Sequence, residues 1–178
     1  SDRFGESGKA YGFDGENDFI EIGTGGVGAN PHQLTQVAWI QTKDRRADYP
    51  VVILTKRHRD AVGSDWPTFG INGGYATLAN DEDGIKEYVI GNSYISDGGW
   101  HQIVGVRDNQ KYSVYVDGKI EKSKVVSDVL EGSDLPMHIG HHGVWGRYFK
   151  GSIDDVRIYN RALSADEIKA LYEFENPE

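Results

Sequence analysis

The alternation of apolar and polar residues predicts a chain made mainly of short β-strands. In the clearest case, Tyr112, Val114 and Val116 alternate with residues on the opposite face, as in a strand with one buried side. Asp117-Gly118 follows as a two-residue hairpin signal. About twelve or thirteen strands are predicted in this way, and they include residues 9–13, 18–22, 34–43, 51–55, 68–71, 75–79, 85–90, 100–107, 112–116, 119–126 and 135–140. The predicted fold is all-β, with two antiparallel sheets packed face to face as a jelly-roll sandwich.

One short helix is predicted near the carboxyl end of the sequence. Ser164 and Glu167 have the spacing of a capping box, in which each side chain satisfies a free backbone N–H of the first turn. Ile168, Leu171 and Tyr172 follow at i, i+3 and i+4. This spacing predicts an amphipathic helix that packs against the sandwich.

Composition and charge exclude several classes of protein. A chain of 178 residues is long enough for one domain, predicted to span residues 1–178. The formal charge of −9 disfavours binding to nucleic acid or to an anionic membrane. Cysteine is absent, which rules out disulfides and thiolate metal sites and favours a bacterial origin. No stretch reaches the roughly 18 to 20 apolar residues of a membrane helix.

Two adjacent aspartates, Asp154 and Asp155, interrupt the last predicted strand. Neighbouring residues of an extended strand face opposite sides, so the two carboxylates are expected to point apart. Two interpretations are open. Both residues can lie at a strand end in solvent, or one can bind Ca²⁺, which prefers oxygen ligands.

The segment from Phe149 to Ile168, F-x-G-x-I-D-D-V-R-I-Y-N-R-A-L-S-x-x-E-I, resembles the closing segment of laminin-G-like domains of the concanavalin A-like superfamily. Further matching pieces follow the family's order at residues 10–15, 18–22, 37–42, 100–106 and 112–118. The resemblance implies a structural Ca²⁺ ion held by the Asp154 side chain and by backbone oxygens near Asp14 and Gly15. It also implies a module of a larger secreted or cell-surface protein.

The sequence predicts that the domain is not an enzyme. Glycosidases that retain configuration need two carboxyl groups about 5 Å apart, which related enzymes supply from an E-x-D-x-E or E-x-D-x-x-E strand. Neither run occurs here, and the motif set of alginate-lyase relatives is also missing. The turn G-x-S-x-G of serine hydrolases is absent as well.

Two loops are predicted to form a ligand-binding rim, at residues 56–67 and 141–148. Each contains a tryptophan without core periodicity, together with arginine and histidine side chains that can donate hydrogen bonds. Aromatic rings bury the C–H face of a sugar while polar groups fix its orientation. We therefore predict binding of an oligo- or polysaccharide. A protein-binding adhesion or spacer domain is the first alternative, and a glycoside hydrolase or lyase with unrecognised catalytic residues is the second. The predicted ligand residues are Arg57, His58, Trp66, His142, Trp145 and Arg147.

Overall fold

The computed structural model describes residues 1–24, 32–46, 51–56, 67–82, 85–126, 135–142 and 147–176. Fourteen strands and one helix lie in these residues. The strands are β1 (Tyr11–Asp14), β2 (Ile20–Gly23), β3 (Gln33–Gln41), β4 (Val51–Thr55), β5 (Thr68–Asn72), β6 (Tyr75–Glu82), β7 (Ile85–Tyr94), β8 (Trp100–Asp108), β9 (Lys111–Val116), β10 (Lys119–Val125), β11 (Met137–Ile139), β12 (His141–His142), β13 (Arg147–Tyr148) and β14 (Lys150–Tyr159). The helix α1 is Ala165–Glu175.

Twelve of the fourteen strands form two six-stranded antiparallel sheets that face each other, which confirms the predicted sandwich, and β12 and β13 form a separate two-stranded sheet. The first sheet has the order β1-β14-β3-β8-β9-β10, and the second has the order β2-β11-β4-β5-β6-β7. The main core lies between them and is built from the inward positions of both sheets. Gly105, in the middle of β8, faces this core, and a Cβ there would lie 2.9 Å from both Phe69 and Leu78 of the second sheet. The two sheets approach closely at this point because glycine has no side chain.

The tight turn at residues 117–118 forms where the sequence predicts it. Asp117 and Gly118 join β9 to β10 with φ of 48° and 73°, the positive values that such hairpins require. Gly73 and Gly74 join β5 to β6 with φ of 61° and 93°. A different result is found at residues 141–148, which were expected to form a loop. The ends of this segment pair as strands β12 and β13, so the prediction is wrong there.

Helix α1 packs on the outer face of the first sheet. Its capping box is present, because Ser164 accepts a hydrogen bond from the Glu167 N–H and the Glu167 side chain accepts one from the Ser164 N–H. Ile168 is fully buried against a second apolar cluster that includes Val37 and Val104. Burial of one such side chain contributes about 1.5–3 kcal/mol. Within the part of the chain that the structure describes, no helix is both long and apolar enough to span a bilayer.

Candidate functional site

A cleft of about 920 Å³ opens at one end of the sandwich. It lies where β1 and β3 end and where β8 and β14 begin. Ligand sites in proteins typically have volumes of about 300–1,000 Å³, so this cleft is large enough for a small ligand. Its walls are formed by Asp14, Gly15, Glu16, Gln41, Thr42, Lys43, Asp44, Arg45, Arg46, Gly98, Lys150, Gly151 and Ser152.

One wall of the cleft is the turn after β1. The Asp14 carboxylate accepts hydrogen bonds from the N–H groups of Glu16 (2.7 Å) and Asn17 (3.1 Å). These two backbone donors lower the pKa of Asp14. Gly15 has φ of +85°, and a Cβ there would lie 2.8 Å from the Lys150 side chain. Both the backbone conformation and the available space therefore favour glycine at this position.

The opposite wall is the chain after β3, which is fixed to β14. The Thr42 hydroxyl donates to the Lys150 carbonyl (2.6 Å) and accepts from the Asp44 N–H (2.9 Å). Asp44 forms an ion pair with Arg46, and Arg46 Nη2 also donates to the Tyr148 carbonyl (2.6 Å). Burial favours protonation of Asp44, but the hydrogen bonds from Arg46 outweigh it and lower the pKa of this carboxyl group. The wall is therefore held in a defined conformation.

An aromatic surface adjoins the cleft. The Arg45 guanidinium lies over the Tyr94 ring, 5.6 Å from its centroid. Tyr94 is 39% exposed and contacts Tyr75 edge to face, with ring centroids 5.7 Å apart. Gly74 lies against the Tyr94 ring, because a Cβ there would come within 2.4 Å of it. We call Tyr75, Tyr94 and Arg45 the tyrosine platform.

The tyrosine platform was not predicted from the sequence. Both tyrosines belong to strands that pair with each other as Tyr75↔Tyr94, so their periodicity does not separate them from ordinary strand residues. The nearest signal was the hairpin at residues 72–74, which places Tyr75 at the end of the sandwich. Only the fold brings Arg45 to the same place.

Four of the six predicted ligand residues, Arg57, His58, Trp66 and Trp145, lie outside the described residues. The flanks of their two loops are described, and they lie at opposite ends of β4. Lys56 follows the last residue of β4 directly. The other loop belongs to the β12–β13 hairpin, which runs back toward the start of β4, since Gly140 donates to the Ile53 carbonyl (3.1 Å). The predicted rim of two joined loops stays a prediction.

The β12–β13 hairpin lies at the same end of the sandwich as the cleft, because Tyr148 is bonded to Arg46. Arg147 is half-buried there, and His142 is only 2% exposed. His142 therefore has almost no exposed surface in this conformation, and its role in ligand binding stays a prediction. His141 stacks on Tyr148 with ring centroids 4.4 Å apart. Burial, and then the nearby His138, lower the pKa of His141.

The predicted calcium ligands do not converge. Asp14 pairs with Lys150, whereas Ile153 pairs with Tyr11. Asp154 therefore lies four positions along β14 from Lys150, the residue opposite Asp14. At the usual rise of about 3.3 Å per residue, this separates Asp154 from the position of Asp14 by about 13 Å. No group of three or more His, Asp or Glu side chains in the described ranges is arranged to hold a metal ion. The described residues do not form the expected cage, and Ca²⁺ binding stays a prediction.

Arg3 binds the two aspartates that were expected to point apart. Its Nη1 lies 3.0 Å from Asp154 Oδ2, and its Nη2 lies 2.7 Å from Asp155 Oδ2. Both carboxylates reach one guanidinium because β14 has a bulge between Asp154 and Arg157, with Asp155 at φ of 43°. Burial is the main cause of a raised pKa at Asp154. The expectation of opposite orientations is therefore wrong, since it assumed a regular strand.

A buried carboxylate lies next to this pair. Glu175, at the end of α1, accepts hydrogen bonds from Trp39 Nε1 (2.7 Å) and Gln102 Nε2 (3.0 Å) and forms an ion pair with Arg157. Arg3 Nε donates to its backbone carbonyl (2.9 Å). We call Arg3, Asp154, Asp155, Arg157 and Glu175 the terminal ion cluster. It lies away from the cleft, and its geometry is that of a structural clamp.

Comparison with solved structures shows several similar domains. Domain 4 of AbnA, a GH43 extracellular arabinanase from Geobacillus stearothermophilus in complex with arabinotriose, has a TM-score of 0.72 and 22% identity, covering 94% of this chain and 78% of that chain. The CBM40 of a Ruminococcus gnavus IT-sialidase has a TM-score of 0.71 and 14% identity, covering 92% and 96%. Domains LG4-5 of the mouse laminin alpha1 chain have a TM-score of 0.69 and 17% identity, covering 91% and 44%. The chain thus spans less than half of the laminin chain. At these identities the similarity shows the fold alone.

Comparison with curated protein sequences gives no significant match. The family model Laminin_G_3, described as the concanavalin A-like lectin/glucanases superfamily, matches residues 14–169. This range contains all strands except part of β1, as well as the first turn of α1. The chain therefore belongs to the Laminin_G_3 family of the concanavalin A-like lectin/glucanase superfamily.

Proposed function

We propose that this domain is a non-catalytic carbohydrate-binding module whose ligand occupies the cleft and contacts the tyrosine platform. The observation that carries the proposal is the exposed ring of Tyr94 beside a polar cleft of about 920 Å³. An aromatic ring can bury the apolar C–H face of a sugar, and the polar walls can bond its hydroxyl groups. This pairing of one apolar surface with many polar groups is suited to saccharides.

The comparisons support the proposal without assigning a ligand. One similar domain was solved in complex with arabinotriose, and another is the CBM40 of a sialidase. We further propose that the domain acts outside the cell or on its surface, as a module of a larger protein. The arabinanase that contains one of the similar domains is named as extracellular.

The β12–β13 hairpin can extend the binding surface. It is bonded to the cleft wall through Tyr148 and Arg46, so Arg147 and the loop that carries Trp145 begin at this end of the sandwich. Arg57, His58 and Trp66 belong to the loop that begins at the other end of β4. We therefore place the principal sugar contacts at the cleft. The segment with Arg57, His58 and Trp66 is a separate candidate surface.

A structural Ca²⁺ ion remains part of the proposal, with a condition set by the geometry. The Asp154 carboxylate already contacts Arg3 and the Asp155 N–H (2.9 Å). Calcium at Asp154 Oδ2 would therefore compete with Arg3 for that oxygen atom.

Binding of a protein partner is the alternative function, favoured by apolar exposure at the other edge of the sandwich. Tyr11, Phe19 and Ile22 are 68%, 45% and 46% exposed, and they come from β1, β2 and the segment between these strands. An exposed apolar surface of this kind is typical of a protein interaction site. This surface does not include the tyrosine platform.

A glycan array with purified domain tests the proposal. We expect selective glycan binding, and we expect Tyr94→Ala to weaken it by about ten- to a hundred-fold, the value of about 1.5–3 kcal/mol of buried aromatic surface. Phe174→Ala is the matched control, because Phe174 is 87% exposed on α1 and is not part of the cleft lining. Thermal melting of both variants checks that the fold persists.

The alternative predicts a different result. A domain that binds no glycan, or that binds glycans equally well after Tyr94→Ala in a folded variant, would contradict the proposed site. Weakened association with a protein partner after Tyr11→Ser, with glycan binding absent, would favour the interaction domain instead.

A further inference from the structure

The cleft contains an excess of positive charge that its own acidic residues do not neutralise. Lys43, Arg45 and Lys150 line it and are exposed. Within the described ranges, no carboxylate forms an ion pair with any of the three. The whole chain has a formal charge of −9, so unpaired cations at the edge of one cavity differ from the average surface.

The acidic residues of the cleft are largely occupied by other groups. Asp44 is paired with Arg46, and Asp14 accepts hydrogen bonds from two backbone N–H groups. Glu16 is the remaining acidic residue of the lining. The two N–H groups do not cancel the charge of Asp14, so three cations without an ion pair face two such carboxylates, Asp14 and Glu16, in the described part of the cleft.

We propose that the saccharide bound at this cleft is anionic, with a carboxylate or sulfate group held by Arg45, Lys43 and Lys150. The inference rests on the proposed function and specifies the class of glycan. Arg45 is the principal anion ligand, since a guanidinium presents two parallel N–H donors to a planar or tetrahedral anion. Because the guanidinium lies over the Tyr94 ring, an anionic group bound to Arg45 would hold its sugar next to the part of the ring that is still exposed.

Lys43 and Lys150 contribute as point charges from the two sides of the cleft. Lys43 reaches the turn before β8, since a Cβ on Gly98 would lie 2.6 Å from its Cε. Lys150 passes over Gly15 on the other side. An anion between these walls would be attracted from both sides, whereas a neutral sugar would gain only hydrogen bonds.

The test compares anionic and neutral glycans on one array that carries uronic-acid, sialyl, sulfated and neutral oligosaccharides. The strongest anionic ligand is then measured again after carboxyl reduction or desulfation, which removes its charge and keeps its sugar backbone. We expect removal of the charge to weaken binding by about ten- to a hundred-fold, the range for a hydrogen bond to a charged group. The chemical form that loses affinity distinguishes a carboxylate from a sulfate.

Variants connect the effect to the cleft. We expect Arg45→Met to reduce affinity for the anionic glycan about tenfold and affinity for its neutral form less than twofold. Arg45→Lys should recover only part of the loss, because it keeps the charge and loses the fork. Lys122→Gln is the matched control, because it removes one exposed cation on β10, outside the cleft lining. Raising the salt concentration from 50 to 500 mM should weaken the anionic ligand selectively, since screening shortens the range of the attraction.

The outcomes separate this inference from the proposed function. Binding restricted to neutral glycans and dependent on Tyr94 would overturn the inference and leave the carbohydrate-binding function in place. Equal loss in Arg45→Met and Lys122→Gln would also overturn it, because the effect would then come from net charge rather than from the cleft. Absence of binding to every glycan would overturn both proposals.

Discussion

The terminal ion cluster gives a stability prediction that can be derived from its contacts. Glu175 is 3% exposed, and one of its oxygen atoms accepts hydrogen bonds from both Trp39 and Gln102. Its other oxygen atom forms the ion pair with Arg157. Replacing Glu175 by Gln keeps the shape of the side chain and removes its charge.

The expected loss follows from three interactions. Hydrogen bonds to a charged group contribute about 1.5–3 kcal/mol each, and neutral ones about half of that. Two weakened hydrogen bonds therefore cost about 2 kcal/mol. The ion pair adds up to about 1 kcal/mol, because the Arg157 side chain is 34% exposed and water screens it. We expect Glu175→Gln to lower the free energy of unfolding by about 2–3 kcal/mol, or the melting temperature by about 5–10 °C for a chain of this size.

Equilibrium unfolding in urea, followed by tryptophan fluorescence, measures this change, and Trp39 itself reports on the cluster. Glu173→Gln is the matched control, because Glu173 lies on the same helix, its side chain is 63% exposed, and it pairs with Lys169 at 3.6 Å. The control should change stability by less than about 0.5 kcal/mol. Equal stability of the two variants would refute the assignment of Glu175 as a buried anchor.

Three further predictions test other parts of the molecule. His101 lies 2.8 Å from Asp117 and 3.3 Å from Asp97, and the hydrogen bond to Asp117 is the main cause of its raised pKa, opposed by burial. The pKa of His101 is higher in the folded state than in the unfolded state, so this stabilisation is complete below about pH 6.5 and is lost as pH rises through the folded-state pKa. Urea unfolding from pH 5.5 to 8.5 should show the free energy of unfolding decline. The His101→Gln variant should not show this pH-dependent decline. Gly105→Ala should lower the free energy of unfolding by about 1–3 kcal/mol, because the new methyl group would overlap two core side chains of the facing sheet. Unchanged stability in urea would show that the two sheets can move apart to accept the methyl group. If Asp154 binds calcium, the melting temperature should be several degrees higher in Ca²⁺ than in chelator, since a ligand at about 100 times its dissociation constant stabilises by about 2.7 kcal/mol. Identical melting curves, or a difference that persists in Asp154→Ala, would exclude Asp154 as a calcium ligand.

Local sequence patterns were sufficient to predict the sandwich. The alternation in β9, the hairpin turn at residues 117–118 and the capping box of α1 each depend on residues only a few positions apart. Such patterns record which face of an element is buried and where the chain turns.

The candidate site could not be predicted in the same way. The cleft is lined by four separate parts of the chain, and the tyrosine platform forms only when the chain after β3 reaches the end of β7. The bulge at Asp155 reverses a side-chain direction that a regular strand would impose. In the sequence, Glu175 is indistinguishable from an exposed polar residue at the end of an amphipathic helix. Its burial depends on partners that are 73 and 136 positions away in the sequence.

The contact between Arg3 and the last turn of α1 links the two ends of the described chain, and we expect it to couple their opening. Arg3 bonds a backbone carbonyl that lies 172 positions away, and its guanidinium also lies over the Trp39 ring, 4.8 Å from the centroid. Terminal segments ordinarily fray independently of each other. Here, loss of the first few residues from their position would release the Glu175 carbonyl and expose Asp154 at the same time. Amide hydrogens at the end of α1 should therefore exchange with solvent at a rate set by the amino-terminal segment, and Arg3→Gln should accelerate that exchange while the amides of β8 keep theirs.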